Sequence, residues 1–533
     1  MRGGLLLLLC AERAAAFSRS PHLAGIVPQP RARVGDAAGT AAFSRSPHLA
    51  GIVPKPRAFV GAVAASPTSG PPPLVASAGL GVVTSAMGVA YQRSLRTAVS
   101  ALWTRLPGVL SLSDPSLFIP MICTLGGLVV GLLAVNLQSV GMPDFIAKQR
   151  SSTESLPGLR PYLAPLLLLS LLTSTFGFSV GPEAPMVVAG GLVGSAWSQW
   201  LYGASDDASA RVMAFAGAAG ALTAFIGMPV AGALFVLEIT RPSAGLNKEA
   251  YDALTPAVCA SCASLITAKS LLAPAAPICG HFAYGLVGDA LTGRALAAIA
   301  LGAGVGGAVI GRGFVLLVAA LRKAMWPVAP AEETCEVDRR WCGPRTRHVL
   351  VKGAVGLCVG VLGRYFPQAL FWGEGSLQPV LDGGRTALGD VWPGLSAAMC
   401  ARAVVSVSSP WQTGAAALQV GAAKLVAIAL ACAGGFPGGI IFPLFFAAAA
   451  IAHSLVAIVP SALMPVWVMS LMTATLSAVT RTPLANALML GLSAAGSAEL
   501  SVLLPPAMIA AYVGVWVSRI LSGTTFFPFD KDD

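Results

Sequence analysis

Charge is what this chain has least of. Only 11% of its 533 residues are Asp, Glu, Lys or Arg, against about 25% in an average soluble domain. A 54.0 kDa globule cannot cover its surface with so few charges, so a string of soluble domains is excluded. Aromatic residues are also sparse at 7%, and the ten cysteines are scattered. Cys259 and Cys262 form a single CxxC inside an apolar segment. No second pair or histidine cluster completes a zinc site, so they read as packing or lipid-facing residues. Cys335 and Cys342 share a polar loop and would pair only in an oxidising compartment. No run of Lys/Arg interleaved with aromatics offers a surface for nucleic acid. What is present is apolar: 55% hydrophobic residues and a mean hydropathy of +0.75. The composition is that of a polytopic membrane protein.

The net charge of +11 is unevenly spread. Residues 1–100 hold ten basic residues against Glu12 and Asp36, a net +8 that leaves +3 for the rest. The basic end opens with Leu5–Leu9 and small residues at Ala14–Ala16, the pattern of a short secretory signal. Its apolar run is far below the ~20 residues of a span. A 21-residue unit follows at Ala15–Gly35 and recurs at Ala41–Gly61, with 19 positions identical. Poor in acid, with Arg, Ser and Pro but no apolar period, it cannot build a core. It resembles a transit peptide, and the whole of residues 1–72 resembles the bipartite leader that delivers proteins to plastids. A plastid membrane, thylakoid or envelope, is therefore the expected location, with another endomembrane as the alternative.

From residue 73 to 528 apolar stretches alternate with short polar breaks, in two halves of about 73–330 and 346–528 around the charged stretch Glu332–His348. Several stretches, such as Leu163–Phe178 and Leu484–Ser493, are shorter than a full span. Short helices are tolerated where their ends line a cavity within the protein. Leu222–Leu234 and Leu476–Leu488 align without gaps, six of thirteen positions being identical, including Pro229 with Pro483. Duplication with broken helices marks an inverted-repeat transporter or channel. The expected fold is all-α, with many tilted and interrupted helices.

Three Gly/Pro segments stand at or inside helix starts: Ser139–Asp144, Gly181–Pro185 and Gly438–Pro443. A helix start presents unpaired N–H groups and the positive end of the dipole. Glycine admits a ligand close to the backbone, and proline suits the first turn. Three such starts aimed at one point would hold a dehydrated anion through partial charges, weakly enough to let it leave.

These segments resemble motifs of the CLC family of chloride channels and chloride/proton antiporters, over roughly residues 75–525. Gly181-Pro-Glu-Ala-Pro185 is similar to G-[KRP]-E-G-P, with Ala184 at the second glycine. Gly439-Ile-Ile-Phe-Pro443 is similar to G-x-F-x-P, with Ile441 at the Phe. Gly141-Met-Pro143 resembles the end of G-S-G-I-P, and Leu234–Pro242 the helix that carries the antiporters' internal glutamate. The resemblance implies chloride as the transported ion, no cofactor, a lipid-embedded homodimer, and no regulatory domain within this chain after the membrane region. It implies that Glu183 is a gate whose carboxylate competes with the anion for the same N–H groups. Anion-binding positions carried over are Ser139, Val140, Gly141, Gly181, Pro182, Gly439, Ile440, Ile441, Phe442 and Phe527. Two hydroxyl contacts of the family are altered: Val140 takes the serine place, and Phe526, Phe527 and Phe529 stand where a tyrosine is expected. On the inner proton route, Ile239 takes the place of the glutamate, with Glu238 beside it. An alkyl chain cannot relay a proton, so a passive channel is expected over an antiporter. Arg241 reads as a helix-end charge, Lys424 as a source of positive potential or a snorkelling residue, and His453 as a hydrogen-bonded helix residue. A remote alternative is an intramembrane hydrolase built on Ser493 and His453; no HExxH supports a metal version.

Overall fold

The computed structural model describes residues 73–110, 114–150, 156, 159–203, 207–241, 248–272, 282–285, 292–326, 344–386, 395–407, 411, 413–494, 500–521 and 526–527. The leader, the Cys335/Cys342 loop and Phe529 lie outside the described residues.

The first half contains α1 (Pro73–Ser100, prolonged by a π turn and one more helical turn to Leu110), α2 (Phe118–Asn136), α3 (Met142–Arg150), α4 (Leu159–Thr175), α5 (Glu183–Tyr202), α6 (Asp207–Ile226), α7 (Pro229–Thr240), α8 (Lys248–Leu271) and α9 (Gly293–Met325). The second contains α10 (Pro344–Tyr365), α11 (Glu374–Leu381), α12 (Gly414–Ala433), α13 (Ile441–Ala452), α14 (Met464–Thr480), α15 (Pro483–Ser493) and α16 (Leu500–Leu521). Among the described residues the only β-type pairing is an isolated bridge between Gly181 and Gly439. Nine helical segments there are long and apolar enough to cross a membrane.

The apolar stretch Val212–Leu237 reads as one span but folds as two helices. Pro229 has no N–H to donate and disfavours a helical residue before it. The chain turns at Gly227, whose φ is +73°, and restarts at Pro229. The aligned stretch of the second half breaks at the same place: Arg481, opposite Gly227, has φ +57°, and Pro483 restarts the chain as α15. A left-handed non-glycine residue costs roughly 1–2 kcal/mol, so the break is imposed by the surrounding fold. The helix before each break is an interior one. The apolar stretch of α6 is 83% buried and that leading through α14 is 78% buried, whereas α8 is 33% buried and faces outward over most of its length.

Interior helices pack by close backbone approach, because lipid supplies no hydrophobic drive between helices. Where α5 crosses α6, a Cβ on either Gly190 or Gly217 would strike the other's carbonyl oxygen. The short α3 and α11 are not legible as apolar stretches. Each is anchored by its first turn: Asp144 accepts the Gly141 N–H at 2.8 Å, and Glu374 accepts the Trp372 indole N–H at 3.0 Å.

Candidate anion site

Two loops of equal length carry the centre of the molecule. Residues 176–182 join α4 to α5, and residues 434–440 join α12 to α13. Aligned at an offset of 258, Gly177–Pro185 and Gly435–Pro443 share Gly, Phe, Gly and Pro at four of nine positions. Each begins with a left-handed glycine just past the helix end, Gly177 at φ +84° and Gly435 at +71°. In the second loop Gly435 and Phe436 donate back to Cys432 and Ala431 at 3.2 and 3.1 Å, a helix stop that only glycine makes without strain. The next residues, Phe178 and Phe436, stack on one another with centroids 4.0 Å apart. Gly181 and Gly439 then exchange both N–H···O=C bonds, Gly181 donating at 2.9 Å and Gly439 donating in return. The two loops are therefore copies docked face to face.

Glu183 opens α5 and is fully buried. Its carboxylate lies over the paired glycines: a Cβ on Gly181 would overlap it, and one on Gly439 would lie 2.7 Å from Oε2. Oε1 accepts the N–H of Phe442 at 3.4 Å, from the first turn of α13. Oε2 has no hydrogen-bond partner among the described residues. The acid thus rests on the exposed donors of the opposite half's helix start.

Around this point is a cavity of about 510 Å³. It is lined by all three Gly/Pro segments: Ser139–Pro143, Glu183–Pro185 and Gly438–Ile441. Phe526, Phe527 and Ile239 also face it. Gly181, Pro182 and Phe442 lie behind that wall, Gly181 in the bridge, Pro182 before α5 and Phe442 as the donor to Glu183. The three starts are not equivalent. The N–H of Gly141 is already taken by Asp144, and those of Gly181 and Gly439 are spent on each other. What remains at the starts of α5 and α13 are first-turn donors such as those of Ala184 and Ile441, with that of Phe442 held by Glu183. Ser139 is exposed at the cavity and Val140 brings a side chain without a hydroxyl.

Glu238 does not line the cavity. It accepts the N–H groups of Leu484 and Ala485 at 3.3 and 2.8 Å and so caps α15, while its neighbour Ile239 faces inward. Lys424 does not snorkel. It is fully buried, and its Nζ donates to the carbonyls of Ala369, Leu370 and Phe371 at 3.2, 3.1 and 2.6 Å. Phe371 in turn donates its N–H to Gly177 at 3.0 Å, so Lys424 braces the first loop at second hand. His453 packs against Trp411, and the Ser493 hydroxyl is turned to the carbonyl of Leu490 at 2.6 Å.

Several residues at the site escape the sequence reading. Arg322, in the last turn of α9, lines the cavity as its basic member. Buried Tyr91 bonds Ser170, in α4, at 2.9 Å. Lys352 is buried in α10 beside the second loop. The last could have been found by the signal that marks Lys424, a lysine within an apolar helix. The others depend on tertiary placement.

Residues 126–519 match the family model described as "Voltage gated chloride channel". Curated relatives include the "Putative ion-transport protein YfeO" of Salmonella schwarzengrund, 27% identical over 391 residues that cover 72% of this chain and 81% of that protein. The protein of the same name from Escherichia coli is 27% identical over 399 residues, covering 72% and 79%. Among solved structures, a slow cyanobacterial Cl⁻/H⁺ antiporter superposes with a TM-score of 0.66 at 15% identity, over 85% of this chain and 96% of that one. A CLC-type fluoride/proton antiporter gives 0.59 at 17% identity, over 84% and 95%. At these identities the structural likeness is one of fold.

Proposed function

The chain belongs to the voltage gated chloride channel family, whose members are ion transporters and channels and not enzymes, and on that premise we propose that it is a passive chloride channel gated by Glu183. It is an integral, multi-pass membrane protein. The observation that carries the reading is the docking of the Glu183 carboxylate on the first-turn N–H of α13, over the bridge that joins the two halves. A dehydrated chloride is stabilised by the same donors, so acid and anion compete for one place. Protonation removes the acid's charge and with it the attraction to those donors. The carboxyl then leaves and the path opens. Flux therefore rises as pH falls.

Two observations favour a channel over an antiporter. Ile239 presents an alkyl chain to the cavity, and the neighbouring carboxylate of Glu238 is held by two N–H groups of α15. The antiporter reading draws on the solved neighbours, which are described as antiporters. Chloride flux from liposomes with simultaneous pH recording separates the two: the channel moves chloride without stoichiometric protons. Proton movement against its gradient, driven by chloride, overturns the proposal.

Glu183→Gln tests the gate. The amide keeps the shape without the charge, so flux is expected to rise about tenfold, a docking free energy of about 1.4 kcal/mol, and its pH dependence to vanish. Unchanged flux and pH response would remove Glu183 from the gating role. The reading extends to a homodimer with one pore per subunit, on the resemblance, and to a plastid membrane, on the leader sequence alone.

A further inference from the structure

The two central loops are backed differently. In the first half the carbonyls at the end of α4 receive neutral donors: Thr175 from the Trp103 indole at 2.7 Å, Phe176 from the Cys123 thiol at 3.3 Å and Gly177 from the Phe371 N–H. In the second half the Ala433 carbonyl also has a neutral donor, Trp326, at 3.0 Å. The next two carbonyls are held by a cation. Lys352 donates to Gly434 at 2.9 Å and to Gly435 at 2.6 Å, and its Nζ sits 4.4 Å from the Phe436 ring centre. Cys123 and Lys352 occupy matching places. A Cβ on Gly127 of α2 would strike the Lys352 carbonyl, and one on Gly356 of α10 would strike that of Cys123. The first half thus solves with a thiol and a backbone N–H what the second solves with an ammonium ion.

Capping the two matching carbonyls does not require a charge, as Cys123 and the Phe371 N–H demonstrate, and burying an ammonium is costly. The difference lies in what each helix end faces. Cys432, Gly435 and Phe436, at the end of α12, line the cavity. A helix C-terminus carries about half a negative charge, and here it abuts a space meant for anions. Lys352 is 3% exposed and stands behind the carbonyls, where it cannot trap an ion by direct contact.

We propose that Lys352 is a specificity-determining positioning residue for anion binding: its fixed positive charge cancels the negative end of α12 and sets the affinity of the cavity for chloride. The inference rests on the reading of the cavity as an anion site. In that arrangement the half with the movable acid has neutral direct donors, with Lys424 one peptide further back behind Phe371, and the half with the fixed base has Ile441 where the other has Glu183.

The test is chloride binding to detergent-solubilised full-length protein by isothermal titration, together with chloride efflux from liposomes. Lys352→Gln keeps N–H donors for the two carbonyls but carries no charge, and Lys352→Arg keeps the charge. Lys352→Gln is expected to weaken binding about tenfold, the order that one charge exerts through a protein interior over several ångströms, and to raise the half-saturating chloride of flux to match. Lys352→Arg is expected to retain wild-type affinity to within about twofold. Equal affinity of Lys352→Gln and wild type overturns the proposal, as does Lys352→Arg as weak as Lys352→Gln. Repeating the measurement in Glu183→Gln protein guards against a folding defect: flux that persists there with the same tenfold shift supports the charge, and flux that persists without the shift refutes it. Wild-type protein that binds no chloride would instead overturn the underlying reading of the cavity.

Discussion

Gly177–Pro185 and Gly435–Pro443 follow the same backbone path and differ in what they carry. Both stop a helix with a left-handed glycine, stack a phenylalanine on the partner loop, pair through one glycine and start a new helix with proline in its first turn. At the first residue of the new helix one loop has Glu183 and the other Ile441. Behind them stand Cys123 and Lys352. The backbone, where the donors are, is duplicated, while the ionisable side chains are divided between the copies. Duplicated N–H groups suit an ion that must be held from two sides. A single acid suits a gate, because two would repel each other and could not both dock on one set of donors.

The comparison can be broken most severely by making the second loop like the first. Ile441→Glu places a carboxylate at the mirrored helix start, beside the remaining donors of the cavity. Two acids then compete with chloride, and flux at neutral pH is expected to fall about a hundredfold, equivalent to roughly 2.7 kcal/mol, with partial recovery on acidification. Efflux measured across pH checks this; undiminished flux at neutral pH would show that the two positions are not equivalent. A milder change acts on the bridge. Gly181→Ala and Gly439→Ala both insert a methyl where the Glu183 carboxylate rests. The expected result is a several-fold rise in flux, on the order of 1 kcal/mol of lost docking, and larger for Gly181, whose Cβ would overlap the acid. Neither substitution should add to Glu183→Gln, which is the check on its cause.

The smallest effect concerns how the backing helices are tied together. Asp114, just before α2, accepts from the Ser116 hydroxyl at 2.6 Å, from its N–H at 3.0 Å, and from Arg364 of α10 at 2.8 Å, with Arg402 at 3.8 Å. The Ser116 hydroxyl first, then its N–H and the two arginines, hold the carboxyl below the usual carboxylate range. A lowered folded-state value means that the contribution to stability is present above the unfolded value and is lost as pH falls through the folded one. Thermal unfolding in detergent should show a small loss of stability in acid, starting below about pH 4, that Asp114→Asn abolishes. The ion pair is partly exposed, so the effect is slight.

How much of this was written in the chain can be judged residue by residue. The helix break at Pro483, the glycine-proline segments and the isolated acid of Glu183 were legible, because proline, glycine and a charge within apolar sequence each act over a few residues. The apolar run Val212–Leu237 misled, since hydropathy does not register a left-handed glycine. The offset of 258 was hidden because only four of nine residues repeat, and what repeats is backbone conformation. Glu238 was legible as the acid beside Ile239, but that its carboxylate caps α15, an element 246 residues away along the chain, was not.

Composition and local pattern alone determined that this chain lives in lipid, is helical, is duplicated and holds an acid at a helix start. Those properties depend on hydration and on the backbone preferences of neighbouring residues. Tertiary structure decided which donors stay available, since Asp144 takes the Gly141 N–H and Gly181 and Gly439 take each other's, leaving the first-turn donors of α5 and α13. It also decided that Lys352 and Lys424 look inward to carbonyls and not outward to water. Hydrogen-bond partners and charge environments are set by distances through space, which a linear order does not contain.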